Sequence, residues 1–118
     1  MLKKKIYDWL VKITKEGVFP ENCQAIYIGL FENGDYRIHF LGSVAFDKND
    51  TDWACQMKED YFPKNRYLLT EVNTSKNWME FLDEVVEILK ELKKDKQLIL
   101  AQSNNIYVGF DSGDLIEV

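Results

Sequence analysis

The feature that most constrains this chain is an Asn33-Gly34 step set between two apolar runs. Gln24 to Phe31 (QAIYIGLF) and Tyr36 to Val44 (YRIHFLGSV) are rich in β-branched and aromatic residues, which suit a pleated, half-buried surface. Asn and Gly both tolerate the positive φ of a tight hairpin turn, so the two runs are expected to pair as antiparallel strands. With Asn33 and Gly34 as the whole loop, Phe31 pairs with Tyr36, Gly29 with Ile38 and Tyr27 with Phe40. Leu30 with Arg37, Ile28 with His39 and Ile26 with Leu41 then share the other face. One face is strongly aromatic and the other mixed, so both are expected to be at least partly covered.

The remaining elements follow from periodicity. Leu2, Ile6, Trp9, Leu10 and Ile13 fall at helical spacing with lysines between them, which predicts a first amphipathic helix ending near Gly17. Trp53 to Met57 alternates with period two and predicts a short third strand; Arg66 to Val72 predicts a fourth. Pro63 keeps the segment between them out of a regular central strand. Trp78, Phe81, Leu82, Val85, Ile88, Leu89 and Leu92 form a broad apolar stripe, a second helix with N-cap candidates at Asn73, Thr74 and Ser75. Gln97 to Gln102, Ile106 to Phe110 and Leu115 to Val118 complete the strand candidates. The 118 residues are the usual size of one domain. The expectation is therefore a single α+β domain over residues 1–118, with an antiparallel sheet of about five to six strands and two amphipathic helices on one side.

Charge narrows the partners. The net charge is −5, and an acidic surface repels phosphate backbones, so a nucleic-acid reader is disfavoured while a basic protein partner is attracted. Two isolated cysteines, Cys23 and Cys55, lack the density of a secreted disulfide framework and fit a reducing cytoplasm. The basic start Met1 to Lys5 leads into a stretch interrupted by Asp8, Lys12, Lys15 and Glu16, which does not make a signal peptide. No run approaches the roughly 18 apolar residues of a membrane span.

Catalytic chemistry has little to stand on. His39 and Cys55 could form a thiolate–imidazole pair, but no third orienting group is visible. Asp47, Asp50 and Asp52 resemble the start of a calcium loop, yet Trp53, Ala54 and Cys55 follow where ligands belong, so no metal or cofactor is expected. Asp111-Ser112-Gly113-Asp114 reads as a turn that satisfies its own backbone. The acids instead combine with rings: Asp47, Asp50, Asp52, Glu59 and Asp60 lie near Tyr61 and Phe62, a rim of charge around aromatic area as at protein interfaces. Trp53 and Tyr67 are assigned to the core, Tyr61 and Phe62 to the surface.

Trp53-Ala54-Cys55 with Asp60-Tyr61-Phe62-Pro63, and Val108-Gly109-Phe110-Asp111-Ser112-Gly113-Asp114, resemble the small acidic immunity proteins of bacterial polymorphic-toxin systems. That resemblance implies a cytoplasmic single domain that neutralises one partner toxin by binding, with no turnover and no cofactor. It transfers no individual residue. The leading expectation is thus an inhibitory protein-binding module whose docking patch comprises Asp47, Asp50, Asp52, Glu59, Asp60, Tyr61 and Phe62. Two others stand beside it: a small enzyme or ligand-binding domain using His39 and Cys55, and a structural domain that self-associates through a sheet edge such as Leu115 to Val118.

Overall fold

The computed structural model describes residues 1–54 and 60–118. Helix α1 (Leu2–Lys15) buries Leu2, Ile6, Trp9, Leu10 and Ile13, the stripe its spacing implies. Gly17 follows its last turn at φ +144°, a conformation that side chains rarely adopt. Strands β1 (Ala25–Asn33) and β2 (Asp35–Ser43) form the hairpin, followed by β3 (Tyr67–Asn73), helix α2 (Trp78–Leu92), β4 (Ile106–Phe110) and a two-residue β5 (Ile116–Glu117). Among the described residues these strands make one five-stranded sheet in the order β3-β2-β1-β4-β5.

The sheet is mixed, which corrects the antiparallel expectation: β1 and β4 run parallel, with Ile26 opposite Ile106 and Leu30 opposite Phe110. Parallel neighbours cannot be joined by a tight turn. Here the connection carries the chain through β2, β3 and α2 before it returns beside β1. Two further expectations change. Gln97–Gln102 supplies no strand; Ile99–Gln102 is a 3₁₀ turn, with Leu98, Ile99 and Leu100 all buried. A short apolar run enclosed on every side has no periodicity to distinguish these outcomes. Of the strand expected at Trp53–Met57, Trp53 and Ala54 end a 3₁₀ turn (Thr51–Ala54), and Cys55, Gln56 and Met57 lie outside the described residues.

The hairpin also differs in register. Asn33 faces Asp35 across Gly34, which takes φ +82° at the apex, so Glu32 pairs with Tyr36, Phe31 with Arg37, Gly29 with His39 and Tyr27 with Leu41. A slip of one residue moves every side chain of one strand to the opposite face. Tyr36, Ile38 and Phe40 therefore join Ile26, Ile28 and Leu30 on the face that both helices cover, in one continuous core with Phe81, Val85, Leu89, Ile6 and Leu10. Tyr36 stacks on Phe81 at a centroid distance of 4.3 Å, and its hydroxyl donates to Lys76 O at 2.6 Å. Asn77, four residues beyond the earliest N-cap candidate, caps α2: its Oδ1 accepts from Met79 N at 2.8 Å. Trp78, assigned to the apolar stripe, is instead exposed.

Strand β3 is one edge of the sheet. Between Arg37–Leu69 and Tyr36–Val72 it carries two extra residues, Thr70 and Glu71, with Glu71 at φ +62°. This bulge is stabilised from within: buried Thr70 donates its hydroxyl to Tyr36 O and accepts from Val72 N.

Candidate functional site on the helix-free face

The face of the sheet turned away from the helices carries Ala25, Tyr27, Gly29 and Phe31 from β1, and Arg37, His39, Leu41 and Ser43 from β2. Tyr67 and Leu69 join from β3, Tyr107 and Gly109 from β4. One end is covered. The segment 44–54 crosses it, and buried Trp53 meets Phe46 at 5.2 Å and Tyr107 at 5.5 Å, edge to face, over Ala25, Tyr27 and Leu41. Asp60 anchors this segment by accepting from Val44 N at 2.9 Å.

The middle of the face holds a polar network. His39 Nε2 lies 2.8 Å from Asp111 Oδ1, and the Tyr27 hydroxyl donates to the same oxygen at 2.6 Å. His39 is buried, and the rings of Tyr27, Phe31 and Tyr67 surround it at 5.4, 5.8 and 6.3 Å. Gly29 makes the network possible, because a β-carbon there would overlap both His39 Nε2 and Asp111 Oδ1. Burial of the half-exposed Asp111 carboxyl pushes its pKa upward. The hydrogen bonds from His39 and Tyr27, with the attraction of His39, outweigh that and hold it below its ordinary value of 3.8. The network orients an imidazole by a carboxylate. Its partner among the described residues is Asp111; Cys55, the partner expected from the sequence, lies outside them. The described free thiol, Cys23, is pushed upward in pKa by burial, the opposite of activation.

The β3 side of the face is uncovered. Tyr67 is 60% exposed, Leu69 48% and Phe62 37%. The Arg66 guanidinium lies 5.0 Å from the Tyr67 ring centroid and 5.8 Å from that of Phe62. Phe31 meets Tyr67 at 6.3 Å.

The residues expected to form a docking patch are therefore divided. Asp47 and Asp50 are exposed on the segment that crosses the face. Asp60 is buried and turned to the Val44 backbone. Tyr61, expected at the surface, is half-buried against the helix-side core: it bridges Gly42 and meets Phe19 and Phe40 edge to face. Phe62 is exposed as expected, whereas Tyr67, expected in the core, is exposed because the hairpin register directs it to the helix-free side. Asp52 carries no described side chain, and Glu59 lies outside the described residues. Arg66, Tyr67, Leu69, His39 and Asp111 were not assembled by sequence reasoning; their common face depends on the register and on the β1–β4 pairing.

Among the described residues no group of three or more His, Cys, Asp or Glu is placed to hold a metal ion, and no helix is long and apolar enough to cross a membrane. No family model, no curated protein and no solved structure matches the chain.

Proposed function

We propose that this chain is a protein-binding module of the immunity type, which neutralises one partner protein by docking its helix-free sheet face against it. The observation that carries this reading is the exposed surface of Tyr67 and Leu69 beside Phe31, with exposed Phe62 joined to Tyr67 through Arg66, on the sheet face that neither α1 nor α2 covers. Aromatic and aliphatic area of this kind supplies the desolvated centre of an interface. Asp47 and Asp50 form an acidic rim at the other end of the same face, suited to a basic surface on the partner. The His39–Asp111–Tyr27 network acts as the rigid floor between the two ends.

The test is affinity capture from the lysate of the source organism, with the wild-type chain and a Phe62→Ser/Tyr67→Ser/Leu69→Ser variant of unchanged circular dichroism. A stoichiometric protein retained by the wild type and lost by the variant supports docking through this face. Equal retention by both, or no protein above background, refutes it.

A further inference from the structure

The outer edge of β3 is open over a short, defined stretch. Phe40 N donates to Arg66 O at 2.9 Å, which fixes the alternation of the antiparallel ladder with β2. Residues 66 and 68 direct their backbone groups toward β2, so those of Tyr67 and Leu69 point outward. Helix α1 closes the edge on either side of them. Trp9 Nε1 donates to Asn65 O at 2.7 Å, and Lys5 Nζ donates to Thr70 O at 3.1 Å. Between these two caps a groove of about 290 Å³ runs along Tyr67 and Leu69, walled by Lys5, Trp9 and Lys12 of α1.

The charges around this groove are asymmetric. Its lining carboxylates are ion-paired within the fold, Asp8 with Lys4 at 2.7 Å and Glu71 with Lys5, and Glu16 at its Asn65 end accepts from Lys64 N, Asn65 N and Asn65 Nδ2. Its remaining cations are not: among the described residues no carboxylate pairs with Lys12, Arg66 or Arg37. In a chain of net charge −5, the open edge is locally cationic.

We infer that this edge receives an extended, acidic segment of the partner protein as an added strand. The segment's backbone meets the outward groups of Tyr67 and Leu69, and its Asp or Glu side chains meet Arg66 and Lys12. Strand addition draws affinity from the main chain and selectivity from alternate side chains. A second copy of this chain is the wrong occupant on charge, since it would set Arg66 and Lys12 against cations of the same edge. The bulge at Thr70 and Glu71 limits the open stretch, which is how an edge avoids indiscriminate pairing. The inference rests on the docking reading above and adds the partner's chemistry.

Two short blocked peptides test it, one alternating glutamate with valine and the other lysine with valine, titrated into the ¹⁵N-labelled full chain. The expected result is perturbation centred on Tyr67 and Leu69 by the glutamate peptide alone, with exchange of these two amides slowed about tenfold or more at saturation. Leu69→Pro removes one outward N–H without touching the β2 ladder and should abolish the effect. Arg66→Glu, which keeps the backbone intact, should weaken binding about tenfold. Perturbation elsewhere, equal response to both peptides, or none up to millimolar peptide overturns the inference. So does self-association through this edge in the absence of peptide. Capture of a lysate protein that survives while the peptides fail would retain the docking face and remove the added strand.

Discussion

Gly29→Ala probes the centre of the helix-free face. Gly29 is buried opposite His39, and a β-carbon there would stand 2.6 Å from His39 Cδ2 and 2.5 Å from Asp111 Oδ1, with closer overlap at Nε2. The imidazole cannot withdraw freely, because Tyr27, Phe31 and Tyr67 surround it. Overpacking of this kind costs about 1–3 kcal/mol. Displacing His39 also weakens a hydrogen bond to a charged oxygen, at the low end of about 1.5–3 kcal/mol because Asp111 is half-exposed. The smaller unfolded-state entropy of alanine returns about 0.4–1 kcal/mol. The net expectation is a loss of about 2–3 kcal/mol.

Urea unfolding followed by tryptophan fluorescence measures this. With a slope of about 1.5 kcal/mol per molar, the midpoint should fall by roughly 1.3–2 M. Gly113→Ala is the control: a β-carbon there meets nothing nearer than 3.7 Å, so the change should stay within about 0.5 kcal/mol. The decisive comparison is the same substitution in a His39→Ala background. Removing the imidazole makes room for the new methyl, so the penalty should shrink by at least about 1 kcal/mol, a coupling a double-mutant cycle resolves. A penalty below 0.5 kcal/mol on the scale of ordinary surface changes, or one unchanged without His39, would refute the account of the network.

Three further outcomes follow from local contacts. The Asp111 carboxyl has a depressed pKa in the folded chain, so its stabilising effect is full above the ordinary aspartate range and is lost as pH falls through the depressed value; Asp111→Asn should flatten the stability-against-pH curve below about pH 4, measured by urea midpoints across the acid limb. Asn77→Ala removes the side chain that accepts from Met79 N and should cost about 1 kcal/mol, read in the same unfolding assay. Tyr36→Phe keeps the stack on Phe81 but removes the hydroxyl that donates to the part-buried Lys76 O, and should cost about 1 kcal/mol with the fold unchanged by circular dichroism.

Both helices were legible because their apolar spacing states which side is buried, and Leu2 to Ile13 and Phe81 to Leu92 behave as that spacing requires. The hairpin was legible in place but not in register. Asn-Gly permits a loop of two residues, yet the same glycine serves a three-residue turn, and the choice decides whether His39 faces the helices or the open face. The parallel β1–β4 pairing left no local sign, so Asp111 could be read only as a turn residue and not as the partner of a histidine 72 positions away. Tyr67 was misassigned for a related reason. Its alternating neighbours gave β3 two sides, but nothing local identified which side the helices would take.

The charge at the two ends of the helix-free face bears on how a partner is oriented. Asp47 and Asp50 are exposed on the segment that covers the end near Ala25, while Arg37 faces Phe31 at the open end and Arg66 packs on Tyr67, which meets Phe31. Six residues of β1 separate these ends, about 20 Å at 3.3 Å per residue. That exceeds the Debye length of about 8 Å at physiological salt, so a partner senses the two clusters nearly independently. An apolar patch alone tolerates several rotations of whatever docks on it. Opposite charges at its two ends select one of them, and the selection acts on the rate of productive encounter. Charge reversal at Asp47 and Asp50, and separately at Arg37 and Arg66, should therefore each slow association with the captured partner at low salt, and the two effects should multiply in the combined variant. Stopped-flow association rates against ionic strength measure this. If reversing one end leaves the rate unchanged, that end does not face the partner. If the combined variant is no slower than either alone, the two clusters do not act as independent guides, and the proposed orientation is wrong.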